Sequence, residues 1–177
     1  MIRKEIRIAG FGGQGGVLSG NILGKAASIF TRGYAVLTQN YGPESRGGAC
    51  TTEIVTSDEP IDYPYVITPN IQLILSQEAY NKFGQKALPE TLVIIDSELV
   101  KADPNQRPQP IGIPASRLAR NEIGRPVTAN IIMLGFLAAV SDVISFEALK
   151  SAVLDSIPKE TEDINMKALE LGYNYNR

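Results

Sequence analysis

Apolar positions in this chain come in short continuous runs, separated by stretches in which they recur every three or four residues. The first run, residues 6–9, reads as a strand ending at Gly10. Leu18, Ile22, Leu23, Ala26, Ala27 and Phe30 then share one face of a helix, with Gly33 placed to cap its C-terminus. Residues 34–38 form a second strand candidate. The chain therefore opens as strand, glycine loop, helix, strand, which predicts a parallel βαβ unit with a right-handed crossover. Residues 49–56 read as a third strand. The loop before it is too short for a helical crossover, so this strand should run antiparallel to its predecessor and make the sheet mixed.

Further along, residues 71–75 and 92–95 are continuous apolar strands, with a helix over 78–83 between them. Ser57-Asp58-Glu59-Pro60 is a turn signal, and 63–65 is irregular or edge-like. Pro104, Pro108, Pro110 and Pro114 prevent one regular element through their segment, although 111–113 suits a short strand with a helix starting near Ala115. Pro126 and Thr128 open an apolar helix over 130–140. That helix is apolar on nearly every face and so needs cover on all sides, from this chain or another. Residues 146–157 form an amphipathic helix, and 164–171 a last one. Strands alternating with helices predict an α/β fold with a mainly parallel, mixed sheet and helices on both faces. No internal repeat, low-complexity tract or linker interrupts residues 1–177, which read as one domain.

Composition narrows the chemistry. Lys and Arg total 17 against 19 Asp and Glu, a formal charge of −2. This balance offers no footprint for nucleic acid and no polybasic membrane anchor. The run 131–140 is too short to span a bilayer. The N-terminus has no signal-peptide layout, and the expected location is cytoplasmic. The chain has no histidine and one cysteine, Cys50. It cannot by itself assemble an iron–sulfur cluster, an ordinary zinc site or a histidine-based catalytic triad. No catalytic residue and no metal ligand is assigned. Cys50 reads as a small buried hydrophobe.

Two loops could carry chemistry. Gly10, Gly12 and Gly15 satisfy G-x-G-x-x-G between a strand and a helix, with Gly13, Gln14 and Gly16 completing the loop. Glycines allow close backbone approach, and a helix N-terminus offers free N–H groups, so this is a phosphate seat. The bland counterpart is that Gly12, Gly16, Gly20 and Gly24, four apart, let the helix pack tightly. Charge-assisted hydrogen bonds contribute roughly 1.5–3 kcal/mol each, against roughly 4–15 kcal/mol of lost rigid-body freedom. The loop alone would hold a phosphate weakly, so a working site needs further contacts. The second loop is Tyr41-Gly42-Pro43-Glu44-Ser45-Arg46-Gly47-Gly48. Arg46 suits bidentate contact to a phosphate or carboxylate, with Glu44 and Ser45 orienting it or reaching a partner; the bland counterpart is a surface turn. If the strands are parallel, both loops lie on one rim. Asp96-Ser97-Glu98 closes a strand on the ligand-facing rim and reads as a helix cap or turn rather than acid/base machinery, and Asn130 as a cap or rim contact. A self-sufficient NAD or flavin protein is the rival reading. It calls for an acid after the second strand, where Gln39-Asn40 stand instead.

The segment 6–15, the stretch 41–48, Ile61-Asp62-Tyr63-Pro64 and Leu75-Ser76-Gln77-Glu78-Ala79-Tyr80 resemble the gamma subunit of 2-oxoacid:ferredoxin oxidoreductases, most like the 2-oxoglutarate branch. The resemblance implies a three-layer Rossmann-like domain over 1–177, of the pyruvate/ketoisovalerate oxidoreductase gamma type. It implies a complex that converts a 2-oxoacid to acyl-CoA, CO2 and reduced ferredoxin. Thiamine diphosphate would sit on alpha and beta chains, iron–sulfur clusters on beta or a ferredoxin-like chain, and no cofactor on this chain alone. The isolated chain is also expected to be able to pair as a homodimer. The residues implied on the coenzyme A side, or at subunit contacts, are Gly10, Gly12, Gly13, Gln14, Gly15, Tyr41, Ser45, Arg46 and Gly47.

Overall fold

The computed structural model describes residues 3–41 and 49–175. Six strands form one mixed sheet: β1 (Lys4–Phe11), β2 (Tyr34–Tyr41), β3 (Ala49–Ser57), β4 (Ile71–Ile74), β5 (Leu92–Asp96) and β6 (Ile111–Ile113), in the order β2-β3-β1-β4-β5-β6. The helices are α1 (Gly16–Lys25), α2 (Gln77–Lys82), α3 (Ala115–Leu118), α4 (Ala129–Val140), α5 (Phe146–Leu154) and α6 (Glu162–Tyr173). β1, β4, β5 and β6 pair in parallel, and β3 runs antiparallel to both of its neighbours.

The expected antiparallel third strand is therefore present, but it corrects the opening unit. β1 and β2 point the same way without being neighbours, because β3 folds back into the gap between them, with Gly10 opposite Cys50 and Cys50 opposite Tyr41. A tight return after β2 can place β3 on either edge of it, and the sequence pattern does not say which.

Alternation along β1 divides the core. Ile6 and Ile8 face a large cluster with Ile22 and Leu23 of α1, Ile132 and Met133 of α4, Leu149 of α5 and Leu169 of α6. Ala9 faces a smaller cluster with Ile74, Val93, Ile95 and the α2 residues Ala79 and Tyr80. Helices thus cover both faces, unequally. The chain itself supplies cover for α4: residues 130–137 are all buried, and the helix crosses α6 so closely that a Cβ on Gly135 would strike the Leu169 carbonyl and one on Gly172 the Ile132 carbonyl.

Helix ends follow local chemistry. Ser76 and Ser145 cap α2 and α5 by accepting from Ala79 N–H and Ala148 N–H. Gly33 is not the left-handed residue expected after the first helix. After a π-helical turn (Ala26–Phe30), Arg32 takes that conformation at φ 60°. Gly33 follows it and donates to the Ala27 carbonyl at 3.0 Å, with no room for a Cβ against Ser57 O at 2.8 Å. The spacing of glycines along α1 also resolves unevenly. Gly20 is needed, because a Cβ would strike Thr52, whereas Gly24 has only an ordinary 4.0 Å neighbour in Ala35.

Candidate functional site

The strand ends place the site. α1, which follows β1, lies on one face of the sheet and leads to β2. α2, which follows β4, lies on the other face and leads to β5. Adjacent parallel strands whose connections leave to opposite faces open a crevice beyond their carboxyl ends, the usual ligand position in such sheets. A cavity of about 260 Å³ lies there, lined among others by Gly13, Gln14, Leu75, Asp96, Ser116 and Val127.

The glycine loop forms one wall. Gly13 (φ 94°) and Gly15 (φ 78°) adopt the left-handed conformation that glycine tolerates without strain. Gly15 is the N-cap of α1, with no side-chain cap and no acid in the first turn, so the positive end of the helix is left open to an anion. Gln14 turns inward. Its Oε1 accepts from Phe11 N–H at 2.6 Å and its Nε2 donates to the Leu75 carbonyl at 2.8 Å. Leu75 N–H already donates to Ala9 O at 2.8 Å, so the Gln14 amide adds one more rung between the ends of β1 and β4. This explains Gly10: a Cβ there would lie 2.5 Å from Gln14 Oε1 and 2.9 Å from Leu75 Cβ. Gly12 meets nothing within 4 Å, so its backbone can be approached closely. Asn130, at the start of α4, reaches across at 3.4 Å to the Gly15 carbonyl and to Ser19 Oγ, so it is a rim contact to the loop.

Asp96 forms the opposite wall and is only 2% exposed. Its Oδ2 accepts from Ser116 N–H (2.9 Å) and Ser116 Oγ (2.6 Å), and its Oδ1 from Glu98 N–H (3.1 Å). With these bonds the carboxylate ties β5 to α3, as the cap reading expected. The crevice thus has a positive helix end on one side and a fixed negative charge on the other. The electrostatics favour an anion at the glycine loop over one beside Asp96. Beyond Val127, an apolar slot of about 210 Å³ continues along Leu18, Ile131, Pro158 and Ile164. The composition of the glycine loop pointed to its wall of the crevice. Ser116 and Val127 carried no such signal, because only the fold brings them to this rim.

The second loop starts from the same rim. Tyr41 and Ala49 close β2 and β3 beside Phe11, the last residue of β1. Ser45, Arg46 and Gly47, with Gly42, Pro43, Glu44 and Gly48, lie outside the described residues. Cys50, buried next to this edge, has its thiol pKa pushed up by burial, which favours the unreactive protonated form. Among the described residues no group of three or more Cys, Asp or Glu is placed to hold a metal, and no helix is long and apolar enough to cross a membrane.

An α/β sheet with a glycine-walled crevice at its switch point defines a class of ligand-binding folds, and comparison with known proteins identifies the family. The chain belongs to the pyruvate ferredoxin/flavodoxin oxidoreductase family, whose model matches residues 5–175. Among individual proteins it is similar to the 2-oxoglutarate synthase subunit KorC of Methanocaldococcus jannaschii, 48% identical over 97% of this chain and 93% of that one. The gamma subunit of a keto/oxoacid ferredoxin oxidoreductase from Geobacter sulfurreducens superposes with a TM-score of 0.88, at 38% identity over 98% of this chain and 95% of that one. A 2-oxoglutarate:ferredoxin oxidoreductase from Magnetococcus marinus, solved with 2-oxoglutarate, coenzyme A and succinyl-CoA bound, shares the fold at a TM-score of 0.84. It is 24% identical and covers 97% of this chain but 30% of its own.

Proposed function

We propose that the chain is the gamma subunit of a 2-oxoglutarate:ferredoxin oxidoreductase, one gamma-type domain over residues 1–177, working in a cytoplasmic complex. The observation that carries the reading is the 48% identity to a 2-oxoglutarate synthase subunit over nearly the whole of both chains. Thiamine diphosphate and the iron–sulfur clusters would be held by alpha, beta and ferredoxin-like companions, since one cysteine and no histidine cannot support the clusters here. Within that assembly the carboxyl-edge crevice faces the coenzyme A side of the reaction. Backbone N–H groups of the glycines from Gly12 to Gly16 receive a phosphate, and the loop of Tyr41, Ser45, Arg46 and Gly47 adds a cation, Arg46. The neutral arm of the ligand crosses Val127. No observation favours the rival reading as an NAD or flavin protein: Gln39 and Asn40 occupy the end of β2, and an antiparallel strand separates β2 from β1.

The test is Arg46→Ala in the reconstituted complex. The expected result is a coenzyme A KM raised on the order of tenfold, the loss of roughly one charge-assisted contact, with unchanged 2-oxoglutarate KM. Unchanged coenzyme A kinetics together with intact assembly would remove the role assigned to Arg46. Failure of the chain to co-purify with any companion polypeptide from native extract would remove the subunit reading itself.

A further inference from the structure

A second cavity, of about 480 Å³, lies on the α2 face of the sheet, away from the glycine crevice. Its lining includes Arg7, Lys82 and Lys86 and no acidic residue. Arg7 is held in place, paired with Glu53 at 2.7 Å and set over the Phe83 ring at 4.9 Å. Lys82 approaches the same ring at 5.1 Å, and the ion pairs among the described residues involve neither Lys82 nor Lys86. The walls are built in advance. Glu5 Oε2 accepts from Ile67 N–H and Thr68 N–H at 2.7 and 2.8 Å, and the Thr91 hydroxyl donates to the Pro69 carbonyl at 2.9 Å.

The decisive residue is Gln72. It lies on β4 beside Arg7, lines the cavity, is 3% exposed, and its Oε1 is sealed from solvent without a hydrogen-bond partner among the described residues. A buried amide oxygen left unpaired costs roughly 1–3 kcal/mol, a penalty that a ligand carrying a donor would relieve. Turned toward the cavity that it lines, the Gln72 amide offers one acceptor and one donor, the complement of a backbone peptide unit. A carboxylate answers the cations but not that acceptor; an inorganic phosphate carries a P–OH donor but no apolar surface to meet the mouth of the cavity. At the mouth, Ile67 (72% exposed) and Leu88 (46% exposed) present aliphatic surface, a feature of contact with another polypeptide. The Phe83 ring is already engaged by two cations and is not free to stack on a nucleobase.

We infer that this cavity docks an acidic peptide segment of a companion polypeptide: its carboxylates meet Lys82 and Lys86, its main chain pairs with the Gln72 amide, and an apolar side chain rests on Ile67 and Leu88. The inference rests on the subunit reading above. The test uses the purified complex, treated with a carbodiimide that joins an amine directly to a carboxylate and then mapped by peptide mass spectrometry. The expected result is a cross-link from Lys82 or Lys86 to an Asp or Glu of another chain. In parallel, the Lys82→Ala/Lys86→Ala double variant and, separately, Gln72→Leu should each weaken association with the companions on the order of tenfold. The lysine effect should shrink at high salt, and circular dichroism should show both variants folded. A complex that forms but yields no such cross-link, with association unchanged in both variants, overturns the inference alone. Saturable binding of succinate or inorganic phosphate to the full chain, with association indifferent to the lysine variants, makes this a small-anion site and also overturns it. If the unaltered chain recruits no companion, the subunit reading fails and this inference fails with it.

Discussion

Single residues in this protein work mostly by satisfying strand ends. Gln14 closes two backbone groups beyond the β1–β4 ladder, so Gln14→Ala should cost about 2 kcal/mol, a loss of two hydrogen bonds near a partly buried edge. Gly10→Ala should cost less in the Gln14→Ala background than alone, because one of the two atoms its Cβ would strike is then gone. Chemical denaturation of the four proteins measures both; strict additivity would contradict the contact. Glu5 plays a comparable part at the opposite edge, binding Arg3 and two N–H groups of the segment leading to β4. Cys50 should react with iodoacetamide at neutral pH far more slowly in the folded chain than in the denatured one, since burial holds its thiol protonated. Equal rates would show that the thiol is open.

Among the elements, the α4–α6 crossing is the tightest. Gly135 and Gly172 face backbone carbonyls, which cannot move aside as side chains can. Either Gly135→Ala or Gly172→Ala should therefore destabilise the chain by about 3 kcal/mol or prevent folding, as overpacking does where neighbours cannot relax. Thermal melts would check this, with Gly12→Ala, which meets nothing within 4 Å, as the mild control for added side-chain bulk. Element existence was legible in the sequence, because β1, β4 and β5 are continuous apolar runs and α1 shows a clear helical stripe. The α4–α6 contact was not. A glycine required by a helix from elsewhere in the chain looks the same, in sequence, as one that is merely tolerated.

For the whole molecule, the crevice rim carries apolar surface that a solitary domain gains nothing by exposing, with Val127 at 81% exposed. Val127→Asp should leave the melting temperature of the isolated chain nearly unchanged, because exposed substitutions usually stay within about 0.5 kcal/mol. It should weaken recovery of the assembled complex by affinity purification. Full assembly of the variant would show that Val127 meets no companion chain. The candidate site was half legible. Its glycine wall announces itself because positive φ and close backbone approach restrict the residue type. Asp96 was legible there too, as the end of an apolar strand, whereas Ser116 and Val127 come from segments whose residues look like ordinary caps and loops.

The sequence by itself determined the α/β class, the mixed sheet and the lack of ligands for an iron–sulfur cluster. These follow from periodicity, from a loop too short for a crossover, and from a shortage of metal-binding side chains, all local or compositional properties. Only the tertiary structure decided that β3 lies between β1 and β2, that Gln14 serves the sheet, and that Gln72, in a cavity lined also by Lys82 and Lys86, has a buried oxygen without a partner among the described residues. Each of these depends on which distant segments become neighbours. That choice is made by burial summed over the whole core, and no window along the chain contains it.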